Sequence, residues 1–177
     1  MTIELGIARG IDAQALGQPG QRTFRLRMLG SGSEPVCLWV EKEHLQALGL
    51  AIRQLLAQLN YEDQPRALGL GQFPEVAERE FRVGVMGAGF DAAGRTLLLQ
   101  VSELGIDEQE EPTLRVRLTL DYCASLLAQI DEIIASGRPL CPLCGLPIDP
   151  SGHVCIRSNG HSKQPIPDSG HDVNPGP

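Results

Sequence analysis

The sequence predicts an α+β fold: two tandem strand–strand–strand–helix repeats forming an antiparallel sheet with two packed helices, plus a small Cys/His-rich appendage. Three observations predict it. With 177 residues, of which 42 % are hydrophobic, the chain can bury one domain core and carry a minor extension. Two stretches 78 positions apart repeat one apolar pattern. Near the C-terminus, three of the five cysteines cluster with two histidines.

The first copy, about residues 1–60, opens on a strand from Ile3 to Ala8. Gly17-Gln18-Pro19-Gly20 is the turn into a second strand, Gln21 to Arg27, and Pro35 to Val40 is the third. A helix follows from about Lys42 to Leu59. The connector from Tyr61 to Glu78 holds Pro65, Gly69, Gly71 and Pro74 and reads as a linker. The second copy, about 79–137, repeats the order. Glu80 to Met86 alternates as a strand, Asp91-Ala92-Ala93-Gly94 turns the chain, and Arg95 to Gln100 returns. Leu114 to Leu118 is the last strand and leads into a helix from about Leu120 to Ser136. Leu45, Leu48, Ile52, Leu55 and Leu56 of the first helix superimpose on Cys123, Leu126, Ile130, Ile133 and Ile134 of the second. Spacings of three and four give each helix one buried face. Thr119 is a good N-cap, and Gly137 before Pro139 a good stop.

Period-two alternation assigns the strand faces. Phe24, Leu26, Met28, Val36, Leu38, Val40, Phe81, Val83, Val116 and Leu118 point toward the helices. The opposite face then carries Arg25, Arg27, Trp39, Arg82, Arg115 and Arg117. Guanidinium forks with one tryptophan suit an anion or a single-stranded nucleic acid. Exposed sheet faces are polar in any case, and Glu41, Glu43, Glu80 or Glu103 offer themselves as ion-pair partners for these arginines.

The strongest local signal is Cys141-Pro142-Leu143-Cys144-Gly145. Such a turn presents two thiolates from one loop, and its glycine permits the backbone to close. Gly152-His153-Val154-Cys155 supplies a second pair, because residues two apart on a strand share a face. The resulting C-x2-C-x8-H-x-C set competes with one in which His161 replaces His153. Either is Cys3His, tetrahedral and suited to zinc. A redox C-x-x-C opens a helix after a strand, and a catalytic zinc keeps a position for water; a knuckle followed at once by further ligands fits neither. Residues 138–161 therefore read as a structural zinc knuckle, Zn2+ being the implied cofactor, and 162–177, rich in Pro, Gly, Asp and Ser, as a disordered tail. Cys37 and Cys123 read as small buried hydrophobes.

Composition removes several function classes. No apolar run approaches the ~18 residues of a membrane span, and Met1-Thr2-Ile3-Glu4 has no signal-peptide character. An odd, clustered cysteine count fits a reducing, cytoplasmic setting. The net charge of −7 argues against generic DNA coating. Gly84-Val85-Met86-Gly87-Ala88-Gly89 lacks the Lys-Ser/Thr of a phosphate loop and reads as hairpin glycines. Asp107 to Glu111 reads as a solvated acidic loop, and His44 as a helix-surface residue.

In combination, Gly17-Gln18-Pro19-Gly20-Gln21-Arg22-Thr23-Phe24, Phe81-Arg82-Val83-Gly84, Leu114-Arg115-Val116-Arg117-Leu118-Thr119 and the segment Gly137 to Gly145 through Gly152-His153-Val154-Cys155 are distinctive. From about residue 10 to residue 160 the chain resembles the bacterial domain of unknown function numbered three-thousand-and-ninety, an uncharacterised repeat-protein family. The resemblance implies no known activity. Members commonly carry an aromatic at the place of His161, which favours His153 as the ligand. The expected function is a non-catalytic zinc-containing binding or adaptor protein, with a protein partner of unknown identity and no membrane association. The rivals are a binder of single-stranded nucleic acid or an anionic ligand through the arginine face, and an enzyme working in the cleft between the repeats.

Overall fold

Alternating apolar residues make six strands, and two periodic runs make two helices. The structure, a computed structural model, describes residues 1–31, 34–61, 73, 77–107, 110–137, 141–145, 148, 152–155 and 157. Residues 62–72 and 74–76 of the expected linker, His161, His171 and the expected tail 162–177 lie outside the described residues. By internal contacts the chain divides into two units, Met1–Gly137 and Arg138–Pro177.

In the first unit the order is β1 (Ile3–Leu16), β2 (Thr23–Gly30), β3 (Val36–Val40), α1 (Lys42–Gln58), β4 (Arg79–Asp91), β5 (Thr96–Glu103), β6 (Leu114–Thr119) and α2 (Leu120–Ala135). β1 runs well past the expected Ala8, because its second half pairs with β2 from Gly10↔Leu29 to Leu16↔Thr23. Asp91 Oδ1 accepts from the Ala93 and Gly94 amides, at 3.1 and 3.3 Å, and so fixes the β4–β5 turn.

The expectation of a purely antiparallel sheet needs correction. The strands close into a barrel in the order β1-β2-β3-β4-β5-β6. Four of its pairings are antiparallel, but β3–β4 and β1–β6 run parallel. Two separate three-stranded meanders would leave four strand edges with unpaired amides and carbonyls; joining them at two seams satisfies both. A parallel seam needs a long crossover, and α1 with the chain after it supplies one between β3 and β4. Alternation reads faces and is blind to which edge meets which.

The core is one apolar cluster drawn from the strands and from one face of each helix. Leu26, Met28, Leu38, Leu99, Leu114 and Leu118 from the strands, and Leu45, Ile52, Leu126 and Ile130 from the helices, are almost wholly buried. Strand residues read as core-facing are buried there, with Phe24 half-buried against the cluster. Close approach dictates one glycine: a Cβ on Gly30 would collide with the Leu5 carbonyl, so no side chain fits where β2 ends against β1.

Both helices start at defined caps. Thr119 accepts from the Tyr122 amide at 3.4 Å. At α1 the Glu41 side chain and His44 close a capping box, with His44 Nδ1 accepting from the Glu41 amide at 3.1 Å. His44 Nε2 then faces the Gly84 carbonyl at 3.3 Å, so the ring spans from helix start to strand β4. His44 is thus half-buried and structural, not the free surface residue its isolation in the sequence suggested. Tyr122 Oη donates to the Arg9 carbonyl at 2.5 Å, and the Ala13 amide donates to Gln129 Oε1 at 2.9 Å, so α2 covers an edge of β1. Among the described residues no helix is long and apolar enough to cross a membrane.

Cys37 and Cys123 are buried free thiols, as expected. Burial pushes the Cys123 thiol up to about 12 from an ordinary 9.0, and raises Cys37 in the same direction. The core holds the neutral thiol, so its contribution to stability is complete below about pH 9 and declines toward pH 12 as only the unfolded chain ionises. Denaturant unfolding followed from pH 8 to 11 should therefore lose stability with rising pH, and Cys123→Ala, though less stable at neutral pH, should show a shallower decline. Parallel declines would contradict this.

Candidate metal centre

The C-terminal unit contains a turn at Cys141–Gly145 and a short irregular segment, 152–155, that bring four soft or borderline donors together. In the turn the Gly145 amide donates to the Cys141 carbonyl at 2.8 Å, and Gly145 takes φ +72°, a left-handed conformation that favours glycine. This closes Cys141-Pro142-Leu143-Cys144 into a knuckle whose two sulfurs lie within 4.8 Å of each other. His153 and Cys155, two apart in the chain, meet them. The ligand atoms of Cys141, Cys144, His153 and Cys155 all lie within 4.8 Å of one another. Cys141 and Cys155 are buried, whereas Cys144 and His153 are half-buried.

The distances carry chemical information. Cys141 Sγ lies 3.7 Å from Cys155 Sγ, and Cys144 Sγ lies 3.1 Å from His153 Nε2. A disulfide would need ~2.05 Å. A tetrahedral ion with bonds of ~2.3 Å to sulfur sets its ligands about 3.8 Å apart along each edge. Four residues of the right type thus sit close enough to hold one metal ion, and Nε2 is the imidazole atom aimed into the site.

The arginines do not form a single face. Barrel closure leaves Arg25, Arg27, Trp39 and Arg82 on β2, β3 and β4, while Arg115 and Arg117 stand on β6 with β1 on one side and β5 on the other. Within the first group the register makes two rows. Gln14, Arg25, Trp39 and Arg82 lie side by side across four strands, and Asp12, Arg27, Cys37 and Glu80 form the next row. Arg27 Nε donates to Asp12 Oδ1 at 2.9 Å, its terminal amine also pairs with Asp12, and its guanidinium lies 4.8 Å over the Phe73 ring. The Asp12 hydrogen bond leads in raising the Arg27 pKa above its ordinary value. Arg115 Nη1 pairs with Glu4 Oε1 at 2.9 Å, and Arg25 Nε donates to Gln14 Oε1 at 2.9 Å. Arg82 and Arg117 are exposed, and neither has a carboxylate at ion-pair distance among the described residues. Glu80, read as an arginine partner, instead accepts from Trp39 Nε1 at 2.5 Å. Asp12 and Glu4 escaped sequence reasoning because their pairings depend on β1 flanking β2 on one edge and β6 on the other.

The family model described as Protein of unknown function (DUF3090) matches residues 7–155, most of the chain and all four metal-site residues. The chain belongs to the DUF3090 family. No curated protein matches it. Within this DUF3090 chain the match ends at Cys155, the last member of the cluster, and stops short of His161.

If one ion organises this cluster, chelation should act locally. Hydrogen exchange at residues 141–155 should accelerate by about a hundredfold or more after chelator treatment, with the amides of β2, β5 and α2 unchanged. Equal protection of 141–155 before and after would contradict the reading.

Proposed function

We propose that this DUF3090 chain is a non-catalytic, zinc-containing binding or adaptor protein whose C-terminal knuckle is folded by the metal and meets a protein partner. The convergence of Cys141, Cys144, His153 and Cys155 carries the reading. Three thiolates and one imidazole are the donor set of closed structural zinc sites, which leave no coordination position for a substrate or water. Cys141 and Cys144 with His153 and Cys155 would hold the ion, whose chemistry there is to neutralise the thiolates and fix the loop. Leu143 and Val154, each beside a ligand, are 55 % and 76 % exposed. Apolar side chains at the tips of a rigid, metal-pinned loop support contact with another protein. A cytoplasmic setting is supported by the described cysteines forming no disulfide.

The tandem repeat belongs to the same proposal. The order β1-β2-β3-α1 recurs as β4-β5-β6-α2. Residues 78 apart meet across the helix pair: Arg53 Nη2 reaches Asp131 Oδ1 at 2.6 Å, and a Cβ on Gly49 would lie 3.8 Å from Leu127. Strands β1 and β4 are irregular at matching places, after Ala8 and after Val83. These coincidences are expected of two duplicated copies related by an internal two-fold.

The test uses the full chain. Leu143→Asp with Val154→Asp should keep one zinc per chain yet lose a partner captured from native extract, and Cys144→Ser should lose both zinc and partner. Capture undiminished in both variants would overturn the adaptor role of the knuckle.

A further inference from the structure

Beyond the knuckle, one feature of the barrel exterior has the chemistry of a ligand site. Trp39 is the chain's sole tryptophan, and it is absent from the apolar core that takes Phe24, Tyr61, Phe81 and Tyr122. It stands half-exposed on the outside of β3, with its indole N–H fixed by Glu80. Arg25 flanks it on β2 and Arg82 on β4, at the same register. Cation–π stacking does not account for this row: among the described residues such a contact is made by Arg27 on Phe73, not by either neighbour of Trp39. Among the described residues Arg82 is exposed with no carboxylate at ion-pair distance, and Arg25 is engaged by the neutral amide of Gln14 through Nε. Asp12 neutralises the next arginine along, and the two arginines that flank the indole stand against one carboxylate, Glu80, so the row keeps a net positive charge.

A groove of about 210 Å³ adjoins this row, lined by Arg22, Phe24, Trp39, Glu41, His44 and Arg82 among others, with Arg25 beyond its rim. It is smaller than the ~300 Å³ at which drug-sized sites begin, so it seats one part of a ligand, a ring or a phosphate, while the rest lies on the open row beside it. Both ring nitrogens of His44 are engaged, by the Glu41 amide and the Gly84 carbonyl, which fixes this wall of the groove. A held aromatic, flanking guanidinium groups and a small groove form the minimal set for stacking a base while holding its phosphate.

We infer that the Arg25–Trp39–Arg82 row binds a nucleoside phosphate, with the base against Trp39 and the phosphate held by Arg82 and Arg25. The unit has two sources, a free mononucleotide or one residue of a single strand. Arg115 and Arg117, elsewhere on the barrel, take no part.

Because Trp39 is the only tryptophan, its fluorescence reports this row alone. The full-length protein would be titrated with adenosine monophosphate and, separately, with a short single-stranded oligodeoxythymidylate. Saturable quenching by the mononucleotide assigns a small-molecule site; quenching by the oligonucleotide alone assigns a strand site; both support the inference. Arg82→Glu should weaken binding about tenfold or more, while Arg117→Glu, an equal charge change away from the row, should leave it within twofold. Circular dichroism would verify that both variants fold. Absence of quenching by either ligand up to millimolar base concentration, or equal losses in the two variants, would overturn it.

Discussion

Three sulfur atoms and an imidazole nitrogen within 4.8 Å of one another define the constraint on which the C-terminal unit depends. As thiolates these groups repel, and as neutral thiols two of them would be buried with only weak hydrogen-bonding capacity. A divalent cation resolves both difficulties, since it deprotonates the thiols and offsets their charge. So short a segment has little apolar surface to bury, so under the proposed function coordination rather than a core gives it its shape. The 3.7 Å separation of the Cys141 and Cys155 sulfurs matches an edge length of such a coordination shell and is too long for a disulfide.

The first unit answers a different constraint, the pairing of strand edges. Its two parallel seams pair strand edges that separate meanders would leave open, and α2 side chains take up the Ala13 amide and the Arg9 carbonyl of β1. Closure also decides where polar side chains meet. It carries Asp12 to Arg27 and Glu4 to Arg115, and thereby removes two arginines from any general anion-binding face. What is left is a short row around Trp39, held by Gln14 at one end and ending on Arg82.

Much of this was legible in the residues. Helix limits followed from apolar spacing, with Thr119 marking one start by its hydroxyl. The metal cluster was legible because its ligand pairs are local: two and one residues separate the members of each pair, and only one long step joins the pairs. The extent of β1, the parallel seams and the Asp12–Arg27 pair were not legible, since each depends on which strand lies beside which. His44 shows the same limit on a smaller scale. Its capping box is a local pattern with Glu in place of the usual Ser or Thr, and its second contact, to Gly84, crosses to another strand.

The central claim is that Cys141, Cys144, His153 and Cys155 hold one zinc ion. X-ray absorption at the zinc edge of the purified full-length protein tests it most directly. The account predicts one zinc per chain in a four-coordinate shell of three sulfurs at about 2.3 Å and one nitrogen at about 2.0 Å. A protein isolated without zinc, or a shell dominated by oxygen, would contradict it.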